Sequence, residues 1–222
     1  MSQDHSQSHK HSHSHDHSHA QGEHACCESC DCTLQSSLYC SACDRIQQLE
    51  ENADYFSLFN LPQSFDVDFD ALHAFFDELI LNLHPDFFEQ AAQRDKDLSL
   101  AHTALLHQAK DCLENPFERG KYLLGLLKKD AVRLGHPPQE YICKMFDLQE
   151  DLDQLQSSGA ALEGIKEQVL VYLVNSEDLL TTVFPSLIES PDDLETIDTI
   201  EQELAKLKYI LTLASRIGEL TV

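Results

Sequence analysis

The sequence predicts an all-α body, a helical hairpin followed by a three-helix bundle, behind a small cysteine-rich metal module and a polar tail. Three observations lead there. From Ala53 onward the apolar residues recur at helical spacing, with no sustained alternation of period two. Six of the eight cysteines crowd between Cys26 and Cys43, which in a reducing compartment points to a metal site rather than a disulfide framework. Residues 1–24 are almost entirely Ser, His, Asp and Gln and hold too little apolar surface to form a core.

Composition narrows the function classes. The 222 residues are 42% hydrophobic, enough for a packed domain plus smaller units. Lys and Arg number 15 against 39 Asp and Glu, and a net charge of -24 argues against nucleic acid or an anionic membrane surface as a partner. The longest apolar runs, Leu79 to Leu83 and Val169 to Val174, fall far short of the roughly 20 residues that cross a bilayer. The N-terminal residues carry neither the apolar core of a secretory signal nor an Arg-rich presequence pattern, so the expected location is the cytoplasm.

The tail places His9, His11, His13, His15, His17 and His19 at every second position. Neutral imidazoles bind nickel, zinc or copper, so it reads either as a metal buffer or as a solvated extension that binds metal incidentally. In the module, residues 25–50, Cys27 with Cys30 and Cys40 with Cys43 form two Cys-x-x-Cys knuckles, separated by enough chain to fold back. Tetrahedral thiolate sites need four sulfurs at the corners, and two short chelate loops supply them. The expected ion is a structural zinc, with iron and free thiols as alternatives, and Cys26 or Cys32 could replace a neighbouring ligand.

In the hairpin, Leu72, Phe75, Phe76, Leu79, Ile80 and Leu83 share one helix face, and His84 with Pro85 ends that helix. Leu98, Ala101, Leu105, Ala109, Cys112 and Leu113 predict the facing stripe of a second helix, stopped by Asn115 and Pro116. Pro116 opens a third helix, and Gly135, His136, Pro137 and Pro138 mark a boundary between units spanning 53–135 and 139–220. Beyond it the spacing predicts helices over about 139–157, 160–184 and 191–218, separated by the Ser157, Ser158, Gly159 turn and by Pro185 to Pro191.

His84, Pro85 and Asp86 fall in the connection of the hairpin: a fixed turn, a carboxylate able to meet a partner arginine, and an imidazole edge. Together with Asp54 to Pro62, Leu83 to Phe88 and Pro116 to Leu124, this tripeptide resembles the J-domain of the HscB family of iron-sulfur co-chaperones. Met145 to Leu155 is similar to the first bundle helix of that family, and some members carry a paired Cys-x-x-Cys module like Cys27 to Cys43.

The resemblance implies a protein without covalent chemistry of its own, which delivers an IscU-type scaffold to an ATP-driven chaperone of the DnaK or HscA type. By the same resemblance His84, Pro85 and Asp86 contact the chaperone, while Ile142, Cys143, Phe146, Asp147, Glu150 and Tyr209 contact the scaffold. Helical geometry checks that transfer independently. Tyr141, Met145, Leu148, Leu152 and Leu155 point one way, and the five scaffold candidates on that helix centre on nearly the opposite side. Tyr209 likewise lies about 180° from the seam residue Ile200. These residues are expected to anchor either a partner or the hairpin unit itself. One departure stands out: there is no Lys or Arg from Ile46 to Gln93, where J-domains commonly place basic residues, so electrostatic steering toward an acidic chaperone surface should be weak or reversed. A metal-buffering or metal-delivery protein, using the tail and the cysteine cluster, is the alternative reading.

Overall fold

A computed structural model describes residues 27–219 apart from 28, 33–35, 37, 51, 129–131 and 159–161, so the His-rich tail and Cys26 lie outside the described residues. Two short strands, β1 (Tyr39–Cys40) and β2 (Arg45–Ile46), pair antiparallel with Tyr39 opposite Ile46 and Cys40 opposite Arg45. The helices that follow are α1 (Tyr55–Leu58), α2 (Phe69–Leu83), α3 (Gln93–Glu114), α4 (Pro116–Lys128), α5 (Gln139–Ser158), α6 (Glu163–Glu189) and α7 (Leu194–Glu219), with a 3-10 turn over Pro85–Phe88.

Local chemistry sets the ends of the hairpin elements. Asp54 caps α1 through a capping box with Ser57, and the Asp68 carboxylate accepts the Ala71 N–H at the start of α2. Asn115 ends α3, and its side-chain oxygen accepts the N–H groups of Phe117 and Glu118, which starts α4 behind Pro116. α2 buries Leu72, Phe76, Leu79 and Leu83, the seam expected from its spacing. Leu83 on α2 is bonded to Ser99 on α3 while His73 meets Glu114, so the two helices run antiparallel.

The α3 seam departs from expectation. The buried residues are Ser99, His102, Leu106, Ala109 and Leu113, whereas Ala101 is exposed and Leu98, Leu105 and Cys112 are only half-buried. Two polar side chains are buried because each has a carbonyl to satisfy it: the Ser99 hydroxyl donates to Leu83 O at 2.6 Å, and His102 Nε2 to Gln47 O at 2.8 Å. The expected break at Pro185 is corrected as well, since α6 continues through that proline to Glu189. Phe184 and Leu187, both fully buried, hold the backbone helical on either side, and their burial offsets the hydrogen bond the proline cannot make.

The hairpin and the bundle share one core. Phe65, in the loop before α2, stacks on Phe184 of α6 at 5.3 Å between ring centroids. Lys128 of α4 meets Glu201 of α7 at 2.7 Å. Arg119 of α4 is buried, donates to Leu113 O at 2.7 Å and lies over the Phe65 ring at 4.6 Å. Its ion pair with Glu177 is long at 3.9 Å, and burial shifts both groups toward neutrality, lowering the Arg119 pKa and raising that of Glu177 against their mutual attraction. Leu38 and Ile46 of the cysteine module join the same core from the α2–α3 side.

Candidate functional site

The cysteine module brings its four expected ligands together. The Sγ atoms of Cys27, Cys30, Cys40 and Cys43 all lie within 4.8 Å of one another. Cys27 and Cys43 are 3.5 Å apart and Cys30 and Cys40 are 3.7 Å apart. A tetrahedron with metal–sulfur bonds of about 2.3 Å has edges of about 3.8 Å, so the donor set fits a tetrahedral ion. Each knuckle is shaped the same way: Asp31 follows Cys30 at φ 55° and Asp44 follows Cys43 at φ 54°, a left-handed turn that a short polar side chain tolerates. The Ser29 N–H donates to Cys27 Sγ at 3.4 Å, and the Tyr39 hydroxyl fastens the second knuckle to Asp44 at 2.8 Å. The Ser29 N–H is the chief cause that lowers the Cys27 thiol to about 6, while burial foremost, then its sulfur neighbours, push Cys43 up to about 12. Cys32 is exposed and stands outside the group.

The His-Pro-Asp tripeptide stands at the tip of the hairpin. Pro85 forces His84 out of the helical region, to φ -58° and ψ 129°, and so ends α2. The Phe87 N–H returns to His84 O at 3.0 Å to form the 3-10 turn. His84 Nδ1 accepts the Asp86 N–H at 3.3 Å, which fixes the imidazole and turns the Asp86 carboxylate outward, where it is 78% exposed. Leu81, Phe87 and Leu100 are exposed around the turn, and the outward side of α2 carries Asp70, Asp77 and Glu78. A cleft of about 340 Å³ beside Pro85 is lined by Glu89, Gln90, Lys96 and Leu100, so the one cation lining it comes from α3 and not from α2.

Ile142, Phe146 and Tyr209 meet across a second groove. Tyr141 on α5 donates to Lys206 O on α7 at 3.2 Å and Asp153 meets Arg216 at 2.6 Å, so these helices run parallel. Between them lies a groove of about 310 Å³, lined by Ile142, Met145 and Phe146 on one wall and by Tyr209, Leu213 and Arg216 on the other. Phe146 is 63% exposed and Tyr209 is 38% exposed, so neither is spent on packing against the hairpin. Cys143, Asp147 and Glu150 are exposed on α5 but do not line the groove. Sequence reasoning reached Tyr209 on the opposite wall but missed its neighbours there. Thr212 and Arg216 lie three and seven residues beyond Tyr209, on the same helical face, and that spacing was the signal that could have found them.

No family model matches the chain. Among curated proteins, the mouse iron-sulfur cluster co-chaperone protein HscB is 29% identical over 184 residues, covering 81% of this chain and 74% of that protein. The human protein of the same name is 28% identical over 185 residues, covering 82% of this chain and 75% of its own length. The chain is HscB-like. Its fold agrees: the crystal structure of human co-chaperone HscB superposes with a TM-score of 0.68 at 22% identity, covering 89% of this chain and 99% of that one. Chaperone HscB from Vibrio cholerae superposes with a TM-score of 0.63 at 24% identity, covering 76% of this chain and 98% of its own.

Proposed function

We propose that the chain is a co-chaperone of iron-sulfur cluster assembly. It stimulates ATP hydrolysis by a chaperone of the DnaK or HscA type through His84, Pro85 and Asp86. It recruits an IscU-type scaffold at the α5–α7 groove through Ile142, Phe146 and Tyr209, with Cys143, Asp147 and Glu150 on the rim. The observation that carries this reading is the tripeptide itself, braced from within by the His84–Asp86 backbone bond and presenting its carboxylate to solvent. An exposed carboxylate at a rigid turn suits a charge-assisted bond to a partner arginine. An exposed Phe with an adjacent Tyr in an apolar groove suits an interface anchor. The protein catalyses no covalent step and works in a reducing compartment such as the cytoplasm, where its thiols stay free for metal.

We assign zinc to the cysteine cluster, held by Cys27, Cys30, Cys40 and Cys43, on the sulfur spacing and the all-thiolate donor set. Bound there, it supplies a fixed tetrahedral corner for a module too small to bury a core of its own.

The test is single-turnover ATP hydrolysis by the chaperone of the same organism, with and without scaffold, using this protein and its Asp86→Asn variant. Stimulation that needs Asp86 and rises with scaffold supports the reading. No stimulation by folded protein in the presence of scaffold refutes it.

A further inference from the structure

The α2 helix reaches the His-Pro-Asp turn with an unfinished hydrogen-bond ladder. Pro85 stops the helix, and the Phe87 N–H, which would have closed onto Leu83 O in a continuing α-helix, bonds His84 O instead. The buried Leu83 carbonyl, immediately before His84, is therefore left to partners from outside its helix. Both come from α3: the Ser99 hydroxyl donates at 2.6 Å and the Thr103 hydroxyl at 3.4 Å. One turn from Ser99 on the same helix, His102 donates to Gln47 O at 2.8 Å, directly after β2 of the cysteine module. β2 in turn pairs Arg45 with the ligand-bearing Cys40 of β1. Ser99 and His102 are both buried, so neither bond has water to replace it.

We infer that Ser99 is a positioning residue for the His-Pro-Asp turn, and that α3, through His102 and Ser99, couples the state of the cysteine cluster to the order of that turn. The coupling is mechanical. Loosening the module withdraws the Gln47 carbonyl from His102, frees the first half of α3 and relaxes the Ser99–Leu83 bond. A folded, metal-holding module therefore keeps the turn set for its partner, and a module that has lost its ion does not. The inference rests on the co-chaperone reading for its functional consequence, but its structural half stands apart from it.

The experiment is amide hydrogen exchange on the full chain, read at Leu83 and Phe87 with Leu207 of α7 as an internal reference. It compares the wild type, Ser99→Ala, Thr103→Val, a Cys27→Ser/Cys43→Ser double variant, and the wild type treated with a metal chelator. Ser99→Ala is expected to speed exchange at Leu83 and Phe87 at least tenfold relative to Leu207, and Thr103→Val less, in keeping with its longer bond. Chelation and the cysteine double variant should speed exchange at Gln47, whose N–H bonds Leu38 O within the module, and, with it, at Leu83 and Phe87. Faster exchange confined to the module overturns the coupling, and unchanged Leu83 and Phe87 in folded Ser99→Ala overturns the positioning role. In the ATPase assay the same variants should lower maximal stimulation at least threefold. If exchange responds while the wild type itself gives no stimulation, the co-chaperone reading falls and the functional half of the inference falls with it.

Discussion

Gly120 of α4 meets Leu204 of α7 so closely that a Cβ added to the glycine would lie 2.5 Å from the leucine Cδ2 and 3.1 Å from the Phe65 ring. Leu204 and Phe65 are both buried, so neither can swing away without disturbing the shared core of hairpin and bundle. The contact lets α4 approach α7 at the position where the two units join, which fixes the tripeptide and the groove relative to one another.

Gly120→Ala weighs two opposing effects. Replacing glycine inside a helix gains about 0.5–1 kcal/mol of backbone entropy, whereas forcing an extra carbon into a packed core costs typically 1–3 kcal/mol. Overpacking should win by about 1 kcal/mol, seen as a lower urea midpoint with an unchanged slope. A stabilised variant would show that the α4–α7 contact is looser than the geometry requires.

Burial lowers the His102 pKa, in opposition to its bond to Gln47 O, so the folded protein holds this imidazole neutral. The unfolded chain binds a proton at about pH 6.5 while the folded chain resists it, so the unfolded state carries more protons in the window below. The stability contributed by His102 is complete above about pH 6.5 and is lost as the pH falls from there through the depressed folded value. His102→Gln retains an N–H donor and removes the titration. Urea midpoints at pH 7.5 and 5.5 should therefore differ less for His102→Gln than for the wild type, and equal differences would place the sensitivity elsewhere.

Much of this architecture was legible because burial and hydrophobicity coincide. Leu72, Phe76, Leu79 and Leu83 are apolar and buried, and Met145, Leu148 and Leu152 form the inward face of α5, so periodicity located both helices. Ile142, Phe146 and Tyr209 were visible as apolar residues on the wrong face, the usual mark of an interface. What stayed hidden depends on groups distant in sequence. Ser99 and His102 are buried because Leu83 O and Gln47 O are there to receive them, and hydrophobic periodicity is silent about such partners. The passage of α6 through Pro185 reflects tertiary burial of Phe184 and Leu187, which outweighs a local breaker. Cysteine spacing did single out Cys27, Cys30, Cys40 and Cys43 as a group, which the structure brings together, because the Cys-x-x-Cys loop is a local constraint.

The metal assignment makes a separable prediction. Cys40→Ser removes a buried donor and should lower the zinc retained per chain after dialysis against a competing chelator, because three thiolates hold the ion less tightly than four. Cys32→Ser should leave stoichiometry unchanged, because that thiol is exposed and outside the cluster. Elemental analysis of both purified variants checks the ligand set. Retention of a full equivalent by Cys40→Ser would mean that Cys32 or Cys26 can take its place.

The groove offers the sharpest separation between stability and binding. Phe146 is 63% exposed and lies opposite the buried Met145, Leu148 and Leu152 seam, so truncating it removes little that holds the bundle together. Phe146→Ala should shift the unfolding free energy by less than about 0.5 kcal/mol, as for surface positions in general. If the groove takes an IscU-type scaffold, the same change removes an aromatic anchor and should weaken that complex by about 2 kcal/mol, roughly thirtyfold in Kd. Tyr209→Ala on the facing wall should act in the same direction, and because the two residues line one groove their losses should not add fully. Calorimetric titration of the scaffold into each single variant and the double variant measures this directly. Wild-type affinity in all three would move the scaffold contact away from the α5–α7 groove, while loss of affinity with a matching loss of stability would assign these residues to packing.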